Sequence, residues 1–478
     1  MRRLLISLLF MPLLATARTI TAEPGELAAS APGSLSDAQL VITGTINAAD
    51  LDRLTSELPA GSSLDLSAVN IAAYDGGIVG VACSRAPADA LPPYILAGLR
   101  SETLVLPASL KTIGEGALLD AAITSVEIPA GVVEIGDAAF AGCRSLTTVT
   151  FADGSAVDAI PTRCFDGDAQ LTTVSLPDGL GSIGSRAFAG CNSLTSLEFP
   201  ATLVAIADEA FAASGLESLD LARCHSLRRI GTRAWAECTA LATATLPAGA
   251  MLGGEAIFMG CPLLTAVSLP AKATSIPALT LAGASSLPSL SLPEGVDSIG
   301  VLALAHASAV RTLALPASLR HIDSGAFEEC TGLEHIDASA LENVPTLGDE
   351  VWSGVICGDV TLRATADTEQ AFLDALQWQD FSIVTSGITS IPAADNTGDD
   401  VAAEVCGSFN SAILTISSDI PVTQVTVYSL DGAALEIKPS TPQLILSADT
   451  SALGGRVMIV TVALRGHLKP VTLKLLRR

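Results

Sequence analysis

The chain has 478 residues and a formal net charge of −25, from 50 acidic and 25 basic residues. Nucleic-acid binders neutralise phosphates with basic patches, which we do not expect on so acidic a body, so the composition excludes nucleic acid as a partner. Hydrophobic residues make up 49% of the chain and aromatic residues only 4%, which predicts an interior of aliphatic and alanine side chains.

Residues 1–17, MRRLLISLLFMPLLATA, predict a secretory signal peptide. Two arginines precede an apolar run from Leu4 to Leu14, and small residues follow it up to Ala17. The run is too short to span a membrane, and no other apolar stretch approaches about 20 residues. We therefore expect an exported protein whose mature chain has no membrane span.

Residues 18–100 lack the repeat described below and predict an N-terminal cap region. The segment LVITGTINAADLDRL predicts a strand at Leu40–Gly44 and then a helix whose start is capped near Ala49-Asp50. SSLDLSAVNI predicts a second strand. Stacked repeats need a terminal cap that covers the first coil, and this region can supply it.

Residues 101–385 predict a solenoid, because a block of about 23 residues recurs from about residue 101 to about residue 362. A fixed period in this range indicates stacked supersecondary units, each of which buries its apolar face against its neighbours. One large residue marks the register of each repeat. These register residues are Phe140, Phe165, Phe188, Phe211, Trp235, Phe258, Leu281, Leu304 and Phe327.

Each repeat reads L-x-x-L-x-L-P, a short gap and then I-G-x-x-A-F. The first part predicts a short strand because its apolar residues alternate, and a proline such as Pro177 or Pro270 ends the strand. The second part predicts a tight turn and a short helical segment whose Phe fills the interior. The predicted fold is thus a solenoid with a short strand and a short helical or turn segment in each repeat.

The period breaks at Thr361–Val384, which predicts a strand and an amphipathic helix that carries Phe372, Leu373, Leu376 and Trp378. We expect this segment to be the closing cap of the solenoid.

Residues 386–404 are polar, acidic and rich in small residues, which predicts a linker. Residues 405–478 predict a β-sandwich, because at least five strand-like runs follow one another, with turns at Asp431-Gly432 and Gly454-Gly455. Between Ser411 and Arg478 there are 4 acidic and 7 basic residues, in contrast to the acidic body. The charge asymmetry marks this region as a separate unit.

The motif L-x-x-L-x-L-P…I-G-x-x-A-F-x-x-C resembles the repeat of the BspA-type leucine-rich repeat family of bacterial surface proteins, over roughly residues 36 to 385. The resemblance implies a leucine-rich repeat solenoid that is exported or surface-exposed and adheres to host proteins or other bacteria. VYSLDG (Val427–Gly432) and the basic C-terminus resemble the C-terminal sorting domains of the type IX secretion route. That resemblance implies a signal for transport across the outer membrane.

Five cysteines lie three residues after a register residue: Cys143, Cys191, Cys238, Cys261 and Cys330. Other repeats have Asp168, Ser214, Ala284 and Ala307 at this position. A position that accepts alanine and serine requires a small side chain rather than a ligand, so we predict that Cys143, Cys191 and Cys330 are buried free thiols. No C-x-x-C pair occurs, so a zinc site has little support.

No motif predicts catalysis or cofactor binding, since the chain has neither G-x-S-x-G nor a Gly-rich phosphate loop after a strand. Cys224, His225 and Cys238 do not have the spacing of a metal site. His335 and Asp337 are better explained as solvated surface than as a base with its orienting carboxylate. We predict a non-enzymatic protein with no catalytic residues, no cofactor and no metal ion.

The third and fifth residues of L-x-x-L-x-L point outward from each predicted strand, and we call them the candidate ligand face. They are mostly threonine and serine with a few acids, and they include no Trp, Tyr or Arg, which dominate protein hot spots. Solvated strand surface is the simpler explanation for such residues. The candidates are Thr148, Thr150, Thr173, Ser175, Ser196, Glu198, Ser218, Asp220, Thr243, Thr245, His335 and Asp337.

The interpretation that combines these features is a binding or adhesion protein of the cell surface, with a host-matrix or other surface protein as partner. Two alternatives stay open: a structural spacer without a specific ligand, and a glycan-binding module.

Overall fold

The computed structural model describes residues 17–30, 35, 37–76 and 85–385, and, in the C-terminal region, 405–410, 413–429, 434–439, 443–449, 457–464 and 471–476. The chain divides into two units. The first comprises Met1–Val310, His321–Gly332 and Gly348–Gly354, and the second comprises Arg311–Arg320, Leu333–Leu347 and Val355–Arg478. The predicted signal segment up to residue 16 and the predicted linker 386–404 lie outside the described residues.

The first unit begins with strands and two helices. Helix Ala48–Glu57 starts after Asn47, whose side chain accepts hydrogen bonds from the backbone N–H groups of Ala49 and Asp50. The Asp50 carboxylate accepts the N–H of Asn47 in return, so this capping box starts the helix earlier than the sequence predicted. The same carboxylate accepts the N–H of Gly25 at 2.7 Å. The other short elements are helix Leu27–Ser30 and the paired strands Tyr74–Asp75 and Arg85–Ala86.

Parallel strands with one buried and one outward face run through the first unit, and we call them the long ladder. They pair in register, so that Thr148 lies beside Ser125 on one side and Thr173 on the other. Inward-pointing Val126 and Val149 are buried. The strands are Arg18–Ala22, Gln39–Ile46, Ser63–Ile71, Thr103–Val105, Ser125–Ile128, Thr148–Phe151 and Thr173–Val174 in one sheet, Ser218–Asp220, Thr243–Thr245 and Ala266–Ser268 in another, and Ser289–Ser291.

One strand that the repeat predicts is absent, because the segment 194–200 (LTSLEFP) forms no strand. Ser196 and Glu198 therefore lie in an irregular segment. Phe199 takes the last inward position, where most repeats have leucine, and its ring stands edge-on to Phe211 with centroids 5.6 Å apart. This inward contact holds the segment to the core in place of strand pairing.

A second series of strands, which we call the short ladder, consists of two-residue strands that end in Ile or Leu. Sequence analysis interpreted this part of the repeat only as the start of a turn. The isoleucines of these strands, such as Ile183 and Ile206, are buried. In the first unit the strands are Ala90–Leu91, Thr112–Ile113, Glu134–Ile135, Ala159–Ile160, Ser182–Ile183, Ala205–Ile206, Arg229–Ile230, Met251–Leu252, Ser275–Ile276, Ser298–Ile299 and His321–Ile322.

The I-G-x-x-A-F segments form the third side of the coils, which we call the turn side, and they are turns rather than helices. The N–H of Phe165 donates to the carbonyl of Ala187 in the next coil, and that of Phe188 donates to Ala210, both at 2.8 Å. The residue two positions before the register residue has positive φ, for example 57° at Arg163. A left-handed residue interrupts the right-handed path of a helix. Of the two predicted forms, helical or turn, the chain adopts the turn.

The register residues form an aromatic column through the interior of the first unit. The rings of Phe140, Phe165, Phe188, Phe211, Trp235 and Phe258 stack in that order, with centroids 5.2 to 6.0 Å apart. Leu281 and Leu304 occupy the same position in the next coils and are buried. Trp352, which sequence analysis left out of the register, stacks on Phe327 at 4.7 Å. Each ring contacts its neighbours along the stack, as expected where coils stabilise one another.

The second unit contains strands Thr312–Ala314, His335–Asp337, Thr346–Leu347, Thr361–Ala364 and Ser382–Thr385, helix Glu369–Asp374 and the short 3₁₀ helices Cys357–Asp359 and Trp378–Asp380. Phe372 and Trp378 are buried edge-on to one another at 5.3 Å, and the Trp378 indole N–H donates to the carbonyl of Pro345. Leu376 is 77% exposed, because the helix ends at Asp374 before reaching it. The predicted closing helix is thus shorter than expected, and Leu376 lies outside its apolar side.

The predicted C-terminal β-domain consists of six described strands in one antiparallel sheet: Val405–Asn410, Ile413–Ser429, Ala434–Ile437, Gln443–Asp449, Val457–Leu464 and Val471–Leu476. The long strand Ile413–Ser429 pairs through its first part with Val405–Asn410 and Gln443–Asp449, and through its second part with Ala434–Ile437 and Val457–Leu464. One strand thus belongs to two portions of the sheet, which partly agrees with the predicted sandwich. The predicted turns at Asp431-Gly432 and Gly454-Gly455 lie outside the described residues.

Candidate binding surface

The candidate ligand face points away from the core in the structure. Each candidate side chain named from the sequence is exposed or half-buried, whereas the Leu and Val residues between them point inward. Strand pairing aligns equivalent positions, so Ser218 lies beside Thr243, and Asp220 beside Thr245. Neighbouring strands are separated by about 4.8 Å, which gives closely spaced rows of outward side chains.

The hydroxyl groups of this surface fall into two classes. Most threonines at the second position of the repeat have an internal acceptor: Thr147 Oγ1 donates to the carbonyl of Thr124 at 2.9 Å, and Thr172 Oγ1 to that of Thr147 at 3.0 Å. The hydroxyls of Thr148, Thr150 and Ser218 on the candidate face have no such bond to any described residue. The outward rows therefore keep donors and acceptors for solvent or a ligand.

The acids of the candidate face differ in their surroundings. Asp220 Oδ1 accepts the N–H of Ala222 at 2.9 Å, and Asp337 Oδ1 accepts the N–H of Ser339 at 2.9 Å, so both stabilise the turn that follows their strand. Asp337 also lies 3.7 Å from Arg363. Glu198 is exposed in the irregular segment, with no ion pair to a described residue. Asp220, which is exposed, and Asp337, which is half-buried, therefore each combine an outward carboxylate with a local structural role.

The position three residues after the register residue forms a column of buried thiols. Cys191 Sγ donates to the carbonyl of Phe165, and Cys238 Sγ to that of Phe211, each at 3.2 Å. Burial raises the pKa of both thiols, so they remain protonated donors. The prediction of free buried thiols at Cys143, Cys191 and Cys330 is confirmed.

Asp168 occupies this column in one coil, and sequence analysis did not recognise its burial. Its side chain is fully buried; Oδ1 accepts the N–H of Cys143 at 2.8 Å, and Oδ2 has no partner among the described residues. Loss of water raises the pKa of this carboxyl to about 8. Asp168 is therefore mostly protonated at pH 7 and is enclosed in the coil interior.

The turn side carries a row of alternating charges over neighbouring coils. Arg186 contacts Asp166 at 3.1 Å and Glu209 at 2.7 Å, and Arg163 also contacts Asp166, at 2.8 Å. Arg233 contacts Glu237 at 2.7 Å. These arginines are therefore neutralised within the protein.

Within the described ranges, no group of three or more His, Cys, Asp or Glu side chains could hold a metal ion. Nor does any helix of the described residues have the length and hydrophobicity to cross a membrane. His335 lies on the same strand as Asp337, whose carboxylate instead accepts from Ser339.

A family model described as a BspA type leucine-rich repeat region matches the chain in six copies. The matches cover residues 90–167, 158–276 and 254–367, which together are more than half of the chain. They span the short ladder of the first unit, the aromatic column and the long-ladder strands from Thr103–Val105 onward. No curated protein matches the chain.

Several solved structures are similar to this one. A leucine-rich repeat protein from Bacteroides ovatus is 24% identical with a TM-score of 0.54, over 73% of this chain and 84% of that one. The pneumococcal vaccine antigen PcpA is 16% identical with a TM-score of 0.43, over 78% and 84% of the two chains. A leucine-rich cell surface protein from Faecalibacterium prausnitzii is 24% identical with a TM-score of 0.25, over 48% and 82%. The Bacteroides protein supports the fold, and at these identities nothing beyond it.

Proposed function

Because the chain belongs to the BspA-type leucine-rich repeat family, we propose that it is an exported protein of the bacterial surface that binds other proteins through its candidate ligand face. The observation that carries this proposal is the outward row of hydroxyls, of which those of Thr148, Thr150 and Ser218 have no acceptor among the described residues. The row presents aligned polar groups on a backbone fixed by parallel pairing. A rigid surface of this kind loses little conformational entropy when a ligand binds.

A protein ligand fits this face better than a glycan. The candidate face has no aromatic side chain on which a sugar ring would stack, and its groups are small hydroxyls and carboxylates. The exposed acids Glu198 and Asp220, together with the half-buried Asp337, favour a basic partner, since opposite charges speed encounter and select partners. A protein that serves only as a spacer would require neither the aligned hydroxyls nor the acids of this face, and it would bind no ligand saturably.

Removing the negative charge of this face should weaken binding. We expect the variant Glu198→Gln, Asp220→Asn, Asp337→Asn to bind an immobilised matrix protein such as fibronectin or laminin about tenfold more weakly than the wild type, and with a flatter dependence on salt. The amides keep an oxygen that can accept the turn hydrogen bonds, so the backbone should be unchanged. Biolayer interferometry over a salt series measures both effects.

The matched control replaces three exposed acids outside this face, Glu134→Gln, Asp158→Asn and Glu255→Gln, which change the net charge equally. It should bind like the wild type. If both variants bind the matrix protein equally weakly, the effect comes from the net charge and not from this face. If the first variant binds as tightly as the wild type, the binding site does not lie on the candidate ligand face. If neither matrix protein nor any other surface protein binds saturably, the spacer alternative replaces the proposal.

We also propose that the basic C-terminal β-domain directs export, as its resemblance to sorting domains implies. A chain that lacks residues 405–478 should then accumulate inside the outer membrane, where fractionation and surface labelling with an impermeant reagent detect it. Surface labelling of the truncated protein equal to that of the full chain would contradict the role in export.

A further inference from the structure

One segment of the acidic body is strongly basic. Residues 221–236 (LARCHSLRRIGTRAWA) contain four arginines and a histidine, and no acid. The segments that lie beside residues 221–231 in the adjacent coils, 199–207 (FPATLVAIA) and 246–254 (LPAGAMLGG), contain no charged residue, and the acids Asp208, Glu209 and Glu255 follow them. The expectation that this body lacks basic patches is therefore wrong at this place. Arg223, Arg228 and Arg229 therefore lie beside segments without carboxylates, whereas Arg233 lies level with the acids of the turn side.

The structure exposes four of these five side chains. Arg223, His225, Arg228 and Arg229 are all exposed, and none of them forms an ion pair with a described residue. Arg233 differs, because it contacts Glu237 on the turn side. Arginines of the turn side are neutralised in this way, whereas Arg223, Arg228 and Arg229 keep a charge that no described carboxylate pairs with. Charge without an internal partner is what a surface needs to attract an anionic ligand.

The short ladder fixes the position of Arg229 within this group. Arg229 lies in register between Ala205 and Met251 of the adjacent coils. Arg228 donates from Nη1 to the carbonyls of His225 at 2.8 Å and Leu227 at 3.3 Å, which leaves its other guanidinium nitrogens without a partner among the described residues. A guanidinium group with one nitrogen fixed by hydrogen bonds is partly preorganised for a bidentate hydrogen bond to a carboxylate.

Exposed apolar side chains border the cations. Met251 is 68% exposed beside Arg229, and Val204, whose carbonyl accepts the N–H of Arg228, is 47% exposed. We call the exposed surface of these apolar and cationic side chains the arginine patch: Val204, Arg223, His225, Arg228, Arg229 and Met251. It spans about three coils, or on the order of 15 Å.

We propose that the arginine patch binds a short acidic segment of a partner protein, with apolar side chains among its carboxylates. The inference rests on the proposed function as a protein binder and adds a second surface with its own partner chemistry. An acidic peptide supplies both carboxylates for the guanidinium groups and apolar side chains for Met251 and Val204. A long polyanion such as nucleic acid or a sulfated polysaccharide offers no apolar side chains, and beyond the patch it meets a body with net charge −25.

Fluorescence anisotropy with the full-length protein tests this. The probes are a labelled synthetic peptide of glutamates interspersed with leucines, and labelled heparin. We expect the peptide to bind saturably, Arg228→Ser/Arg229→Ser to lower its affinity at least about tenfold, and Met251→Ser to lower it about threefold without changing the salt dependence. Arg223→Ser, at an exposed corner away from both ladders, should weaken binding as well, with no effect on folding.

Arg320→Ser is the matched control, since Arg320 Nη1 donates to the carbonyls of Ala317 and Leu319 as Arg228 does to its own. It should leave peptide binding unchanged. The inference is overturned if the peptide does not bind, or if Arg320→Ser weakens peptide binding as much as Arg228→Ser/Arg229→Ser does. It is also overturned if heparin binds more tightly than the peptide and Met251→Ser changes the affinity for neither probe. The amide variant of the candidate ligand face should bind the peptide as tightly as the wild type does. If the wild-type protein binds a matrix protein but not the peptide, the role of the arginine patch is refuted and the proposed function is not.

Discussion

Replacing Phe188 with alanine should lower the free energy of unfolding by about 3–5 kcal/mol, the range for a buried phenylalanine that leaves a cavity. The ring is fully buried and stacks between Phe165 and Phe211, with centroids 5.2 Å from each. In a solenoid each coil is stabilised by the coils beside it. The cavity therefore weakens two interfaces at once, and we expect urea unfolding monitored by circular dichroism to begin earlier and become less cooperative.

Phe188→Leu is the control that the chain itself provides. Leu281 and Leu304 occupy the same register position and are fully buried, so a leucine there fits the coil. We expect it to cost about 1–2 kcal/mol, because most of the apolar volume is kept and only the ring stacking is lost. If the alanine variant is as stable as the leucine variant, the column does not couple the coils.

The periodic part of this fold was predictable because one repeat constrains every coil. Most strands of the long ladder, the buried register residues and the small-residue position follow from the alternation of leucines and the 23-residue step, whereas the irregular segment 194–200 and the short ladder do not. Trp352 could also have been placed, since Leu347-Gly348 before it matches the I-G of the other repeats. The turn side was less predictable: its left-handed residues are mostly Arg, Glu, Leu and Ala, types that give no conformational signal.

The outward direction of the candidate ligand face could also be predicted, because side chains alternate along a strand. The local role of Asp220 and Asp337 could not, since it depends on the turn that follows the strand. The arginine patch was missed for another reason. Net charge is an average over the whole chain. The isolation of the exposed arginines could be recognised only once it was known which segments lie beside Arg229 and Ile230.

Asp168→Cys should stabilise the protein at pH 7 by about 2–4 kcal/mol. The pKa of the Asp168 carboxyl is near 8 in the fold and near 4 in the unfolded chain. Between these two pH values the carboxyl lowers the free energy of unfolding by at most about 1.4 kcal/mol for each pH unit above 4. Cysteine removes that cost and is the residue of five other repeats, where its thiol donates to the carbonyl of the preceding coil. Urea unfolding of both proteins at several pH values measures the difference.

The pH dependence separates this effect from simple repacking. Between about pH 4 and 8 the unfolded chain has released the Asp168 proton while the folded chain retains it, so the free energy of unfolding falls as pH rises. The stabilising effect of Asp168→Cys should therefore be small near pH 4 and grow towards pH 8. Asp153→Asn, at an exposed position, should show no such growth. A constant difference across this range would mean that the buried carboxyl titrates normally, and that Asp168 destabilises its coil by shape alone.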